Sequence, residues 1–274
     1  MLALIAGRGA LPVELNRALS AGGRAPLVAT LEGVGSDLPT AATWRSFRIE
    51  HLGSVLQDLR AAGVTEICFA GAIARPALDP AQIDAATAPL VERILKALSS
   101  GDDAALRAVM GLFEEAGMAV RAAHEICPEL VAPAGFAAGP QPLPEAVEPM
   151  IGQGAAILQA LSPLDVGQSV VIGAAGCLGI ETAQGTDALL GFVATSEPRF
   201  RRGPAGVLVK GPKLGQDLRV DMPAIGPDTL RHAARGGLGA IVVQAGRTLL
   251  LDREALLAEA EAQGVTVVAR ELGL

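Results

Sequence analysis

The chain contains no tyrosine, a single tryptophan and six phenylalanines, so aromatics make up 3% of its 274 residues. Proteins that bind single strands of nucleic acid stack successive bases on aromatic rings, and this composition makes the chain a poor candidate for that role. Basic excess is also missing. The formal net charge is −7, which argues against a general polyanion binder and leaves room for one phosphorylated ligand held locally. No stretch reaches the roughly 18 to 20 uninterrupted apolar residues of a membrane helix. The opening MLALIAGRGALP lacks the basic region and the long apolar run of a signal peptide. The expectation is therefore a cytoplasmic protein that makes, at most, peripheral contact with a membrane. Cys68, Cys127 and Cys177 stand far apart in apolar surroundings, without a C-x-x-C pair or a Cys/His cluster. They read as buried structural thiols of a reducing compartment rather than as zinc ligands.

What is present is aliphatic. Half of the chain is apolar, mostly Ala, Val and Leu, which is enough for a sizeable core, and the length suits two domains. Short continuous apolar runs ending in glycine alternate with helical periodicity. The run Leu2 to Ala6 ends at Gly7, residues 10–22 follow as a helix, Ala25 to Thr30 as a strand, residues 53–62 as a helix, and Glu66 to Ala70 as a strand ending at Gly71. This is βαβ patterning, the mark of a parallel sheet covered by helices. Residues 88–98 and 102–116 read as further helices, and Met118 to Arg121 as a further strand.

Residues 128–149 carry six prolines and two glycines, a density that neither a helix nor a central strand sustains. They read as a linker. Beyond them the pattern restarts, with strands expected at 166–172, 177–183, 206–210, 240–243, 248–251 and 265–269 and helices at 186–194, 227–235 and 252–263. The fold class is thus α/β: a Rossmann-like first domain with a parallel sheet (1–130), a Pro-rich linker (131–149) and a second α/β domain (150–274).

Six places could carry chemistry. Gly7, Gly9, Ala10, Leu11 and Pro12 lie where the first strand hands over to the first helix. Backbone amides there can approach an anion, but Pro12 occupies the third glycine of the dinucleotide fingerprint, and a plain tight turn explains the glycines equally. Gly71, Ala72 and Arg75 follow the third strand and belong at the same sheet edge, where ligands of open α/β sheets bind. Asp102 and Asp103 either cap a helix or hold a ribose or a metal-bound water. His124-Glu125 offers a base or ligand, or only a satisfied structural histidine. Glu181, Gln184, Thr186 and Asp187 bracket a glycine turn, where Thr186 serves as an N-cap or the carboxylates reach a cation or a polar head group. The run from Lys210 through Lys213, Asp217 and Arg219 to Asp221 is the least ordinary. Lysines suit a transferring phosphoryl group and a carboxylate suits Mg²⁺ or water, although a solvated hairpin would show the same alternation of charge.

In order and spacing, the stretches LALIAGRGALP, CFAGAIARP, GDDAALR, AAHEI, ETAQGTDALL and VLVKGPKLGQDLRVDMPAIG resemble the metal-dependent UDP-2,3-diacylglucosamine pyrophosphatases of Gram-negative bacteria that lack the calcineurin-like enzyme. The resemblance runs from the first strand to beyond Arg270. It implies hydrolysis of UDP-2,3-diacylglucosamine to 2,3-diacylglucosamine 1-phosphate and UMP in lipid A synthesis. Water attack would be assisted by Mg²⁺ or Mn²⁺. It further implies a nucleotide-binding first domain, a lipid-binding second domain and an active site between them. The family's metal-associated aspartate lies in an R-V-D-x-P element, which here is Asp221. Arg8 and Gly211 stand where the family often has Gly and Ala.

With the resemblance, Lys210 and Lys213 are the expected phosphate stabilisers. Glu181, Gln184, Thr186 and Asp187 are the expected substrate contacts. The expected partners are the glycolipid and, transiently, the inner-membrane surface, with no nucleic acid; a homodimer is the base-rate expectation. A nucleotide-sugar or dinucleotide enzyme, and a non-catalytic nucleotide or lipid carrier, are the competing readings.

Overall fold

The computed structural model describes residues 1–73, 76–99, 102–201 and 205–274. The chain divides into two compact units. The first comprises Met1–Pro128 together with Arg219–Asp221. It contains β1 (Leu2–Ala6), α1 (Ala10–Ala21), β2 (Leu27–Leu31), β3 (Arg45–Phe47), α2 (Leu52–Ala61), β4 (Glu66–Ala70), α3 (Val91–Leu98), α4 (Asp102–Glu115), β5 (Ala119–Val120) and α5 (Ala123–Ile126). Its sheet has the order β3-β2-β1-β4-β5, with every pairing parallel. The order reverses between β1 and β4, which is the topological switch point of a doubly wound sheet. β1 and β4 are central and buried, which explains their unbroken apolar runs. Ala3, Ile5, Val55, Leu59, Ile67 and Phe113 are among the residues of this unit's core.

The second unit comprises Glu129–Leu218 and Met222–Leu274. It contains β6 (Ala137–Ala138), α6 (Glu148–Leu161), β7 (Ser169–Gly173), β8 (Gly176–Ile180), α7 (Thr186–Thr195), β9 (Gly206–Lys210), β10 (Ala224–Ile225), α8 (Pro227–Arg235), β11 (Leu238–Gln244), β12 (Leu249–Leu250), α9 (Arg253–Gln263) and β13 (Thr266–Arg270). Six strands form a mixed sheet in the order β6-β13-β11-β9-β7-β8. β9, β11 and β13 run parallel, and β6, β7 and β8 pair antiparallel with their neighbours. β10 and β12 form a separate two-stranded pair. One core holds residues of α7, α8 and α9, and another packs α6 against Val170, Val207 and Val209.

Three local expectations change. The proline-rich stretch read as a linker belongs to the second unit and supplies β6 to the edge of its sheet, where proline-flanked backbone is tolerated because only one side needs a ladder. Helix α6 follows directly and was not legible, because Pro149 in its first turn and glycines at 152 and 154 depress the helical signal. Of the three thiols, Cys68 and Cys127 are buried, but Cys177 is exposed, because β8 is the edge strand of its sheet and none of its residues is fully covered. Burial pushes the Cys68 thiol up to about 12, so it stays protonated and unreactive.

Candidate functional site

In the first unit, the parallel register sets Ala6 opposite Ala70, so Gly7 and Gly71 leave the sheet side by side at its carboxyl edge. The two loops then join. The Gly7 amide donates to the Ala70 carbonyl at 2.8 Å, and Arg8 and Ala72 exchange backbone hydrogen bonds at 2.9 Å in each direction. Glycine is required on both sides. A Cβ on Gly7 would lie 2.4 Å from the Ala72 carbonyl oxygen. Gly71 has φ +85°, and its Cβ would lie 2.4 Å from the Arg8 carbonyl oxygen. Pro12, which stands where the dinucleotide fingerprint has its third glycine, is buried, and its Cγ would be 2.8 Å from that same Cβ. The proline therefore fits into the space that Gly71 leaves open.

The amino end of α1 already faces an acid. The Gly9 amide donates to Asp37 Oδ2 at 2.5 Å, and Arg8 Nε donates to the Val34 carbonyl at 2.8 Å. A carboxylate at a helix amino end is stabilised as a phosphate would be, by unpaired amides and the helix dipole. Asp37 had no sequence signal, since its contact with Gly9 is long-range and follows no period. Ala10 and Leu11 open α1, and Ala72 is exposed in the second loop. Arg75 lies outside the described residues. Asp102 and Asp103 begin α4, and their side chains lie outside the description.

The segment carrying Asp221 belongs to this same unit. Arg219 there is 2.9 Å from Glu114 of α4. Residues 211–221 run through turns and contain no strand, so the charges do not decorate a hairpin. Asp221 is half-buried. Among the described residues, no three His, Cys, Asp or Glu side chains converge as a cage for a metal ion. Mg²⁺ does not require one, because it is commonly held by one or two carboxylates, water and substrate phosphates. Asp221 offers a hard oxygen donor of that kind.

In the second unit, three of the expected residues meet. Lys210, 4% exposed, points its ammonium at Ser169 Oγ (3.1 Å) and Thr186 Oγ1 (2.7 Å), with Glu181 Oε2 at 3.5 Å. Thr186 Oγ1 donates to Glu181 Oε2 at 2.8 Å. This network joins the ends of β7, β8 and β9 to the first turn of α7. Ser169 was missed because it sits within an apolar strand run. Lys210 was expected to face a phosphate, but its ammonium is buried and directed at these oxygens.

Lys213 pairs with Asp165, a residue in the left-handed region (φ 57°) that the sequence did not single out. Asp187 turns away to His232 Nδ1 at 3.0 Å, and Gln184 is exposed. His124 Nδ1 is buried without a hydrogen-bond partner among the described residues. Glu125 binds Arg121 (2.9 Å) and the Ala122 amide (3.0 Å), and these bonds hold its carboxyl below the usual range. Arg121 also reaches Glu66, at the opening residue of β4. Glu125 is thus tied, through Arg121, to the opening end of β4 and not to the carboxyl edge where the glycine loops lie.

A second polar cluster braces the first unit. Glu50, 2% exposed, accepts from the Asp79 amide (2.8 Å) and from Arg48 (3.1 Å). Asp84 accepts from Ser54 and the Thr87 amide, both at 2.6 Å. Burial raises both carboxyls, but these donors outweigh it and leave each below its ordinary value.

Comparison with known proteins covers both units. The family model of the LpxI N-terminal domain matches residues 1–130, and that of the LpxI C-terminal domain matches residues 133–268. The UDP-2,3-diacylglucosamine pyrophosphatase LpxI of Caulobacter vibrioides is 38% identical over 271 residues, spanning 97% of this chain and 96% of the relative.

Proposed function

Because the chain belongs to the LpxI family, matched across both of its units, we propose that it hydrolyses the diphosphate of UDP-2,3-diacylglucosamine, in lipid A synthesis, to UMP and 2,3-diacylglucosamine 1-phosphate. One observation supports this reading above the others. The Asp221 segment, far along the chain, is part of the unit that carries the Gly7 and Gly71 loops, so the acid and the anion-facing backbone share one body.

Hydrolysis of a diphosphate breaks one P–O bond and forms another from water. The water oxygen stays on one phosphorus, the bridging oxygen leaves with the other, and the proton passes to solvent or the departing phosphate. The chain's task is positioning and charge stabilisation. Asp221 orients the water and would hold a divalent cation. Mg²⁺ or Mn²⁺ bound there would neutralise charge developing on the phosphate oxygens. Ala10 and Leu11, at the amino end of α1, offer the nucleotide end their backbone amides. Lys210 acts through Thr186 and Glu181, setting the first turn of α7, and is a positioning residue. Among the described residues no helix is long and apolar enough to cross a membrane, and a diacyl substrate is collected by peripheral contact with a bilayer surface.

The test is UMP release followed by phosphorus-31 resonance in ¹⁸O-water. The wild-type chain is expected to release UMP with one ¹⁸O in a product phosphate, and to stop when EDTA is added. Asp221→Asn should keep the thermal midpoint and substrate affinity but lose at least about a hundredfold in kcat, the scale of removing one transition-state contact. Undiminished UMP release by that variant would remove Asp221 from the mechanism.

A further inference from the structure

A cavity of about 160 Å³ lies within the first unit, walled almost wholly by apolar side chains. Its floor is the sheet, with Ile5 of β1 and Phe69 of β4, and its roof is the α3–α4 helix pair, including Leu106 and Val109. Ile73 of the Gly71 loop and Val220 complete the lining. Ile73 is 38% exposed, so this end is open to solvent.

Protein interiors are packed as densely as organic crystals, with few voids larger than one water. This space is on the order of ten times what one water needs, and its walls offer water almost no hydrogen bonds. Leaving it empty costs stability in proportion to its volume. A natural chain keeps such a space where something apolar enters it.

The position of the opening says what enters. Val220 adjoins Asp221, and Ile73 lies two residues beyond Gly71, so the mouth sits beside the proposed diphosphate site. In a UDP-linked 2,3-diacylglucosamine the diphosphate is on the first sugar carbon, one acyl group hangs from the adjacent second carbon, and the other from the third, one carbon further away. A chain leaving that sugar must find apolar walls within a few ångströms of the phosphates.

We infer that this cavity receives one acyl chain of the substrate, so that the first unit reads lipid as well as nucleotide. The inference rests on the proposed pyrophosphatase reading, and it gives the first unit a share in a task that the family resemblance assigns to the second. It also makes Val109 and Leu106 specificity-determining residues. Each methylene seated there contributes about fourfold to affinity, so chain length is read through KM.

The experiment measures kcat/KM on UDP-diacylglucosamines of graded acyl length. Val109→Phe, which fills the roof, should cut kcat/KM at least tenfold for the longer chains, through KM, and move the optimum to shorter ones. Leu106→Ala, which enlarges the space, should move the optimum to longer chains. Opposite shifts in length preference cannot arise from partial unfolding, which lowers activity at every length alike. If the wild-type chain releases UMP and neither variant moves the optimum, the acyl site is overturned and the pyrophosphatase reading stands. If the wild-type chain releases no UMP at any length, both fall together.

Discussion

The two units solve the same problem, a buried β-sheet flanked by helices, and offer different chemistry at its edge. In the first, an all-parallel sheet sends Gly7 and Gly71 out side by side, and backbone amides and carbonyls of the two loops bind one another. In the second, a mixed sheet gathers side chains instead, with Lys210, Glu181, Ser169 and Thr186 knotted together beneath α7. The glycines are there because no Cβ fits. The lysine is there because its charge is compensated. A position defined by sterics and one defined by charge should therefore fail differently, and that contrast can be tested.

The largest effect is expected in the second unit. Lys210→Met removes a buried cation and leaves Glu181, itself mostly buried, without its counter-charge. Breaking one side of such a pair costs about 3 to 5 kcal/mol. Urea denaturation should show that loss, and adding Glu181→Leu should recover part of it. Equal stability of Lys210→Met and wild type would mean that the charges are not coupled.

Next comes Gly71→Ala in the first unit. The new methyl would meet the Arg8 carbonyl at a φ that L-residues avoid. Overpacking and left-handed strain together predict about 3 kcal/mol. Unlike the lysine variant, no neighbouring side-chain change should rescue it, because the obstacle is backbone. A rescued double variant would show that the loops are less rigidly joined than their hydrogen bonds indicate.

The smallest effect is expected from pH. Glu50 is held below its ordinary value, so the folded state binds fewer protons there than the unfolded chain. Its contribution is complete above the unfolded pKa of about 4.3 and is lost as pH falls through the lower folded value. Asp84 acts in the same direction. In Glu50→Gln, the thermal midpoint should fall less steeply on acidification below about pH 4 than in wild type. Parallel pH profiles would show that the Glu50 carboxylate contributes nothing through its charge.

Much of this was legible beforehand. Central strands such as LALIA and GVLVK are buried on both faces, so they appear as continuous apolar runs whatever surrounds them. Edge elements were not, because two-residue strands such as β6 and proline-led helices such as α6 owe their form to what they pack against. Among site residues, Glu181 and Thr186 of one stretch and Lys210 of another, singled out separately, lie together in the fold, while Ser169, Asp165 and Asp37 carried no signal. Each of those three joins its partner across a long stretch of chain, and local spacing carries no trace of that.

By itself, then, the sequence determined the alternation of apolar runs and glycine turns, the two α/β units and the identity of the acidic and basic residues from Lys210 to Asp221. Those are local properties, set by side-chain volume, hydropathy and period. Tertiary structure alone decided that Gly7 meets Gly71, that Asp37 faces the first turn of α1, that the Lys210 ammonium turns inward, and that residues 219–221 join the first unit beside an apolar cavity. The physical reason is that strand order and register, rather than position along the chain, determine which distant groups come within hydrogen-bonding distance.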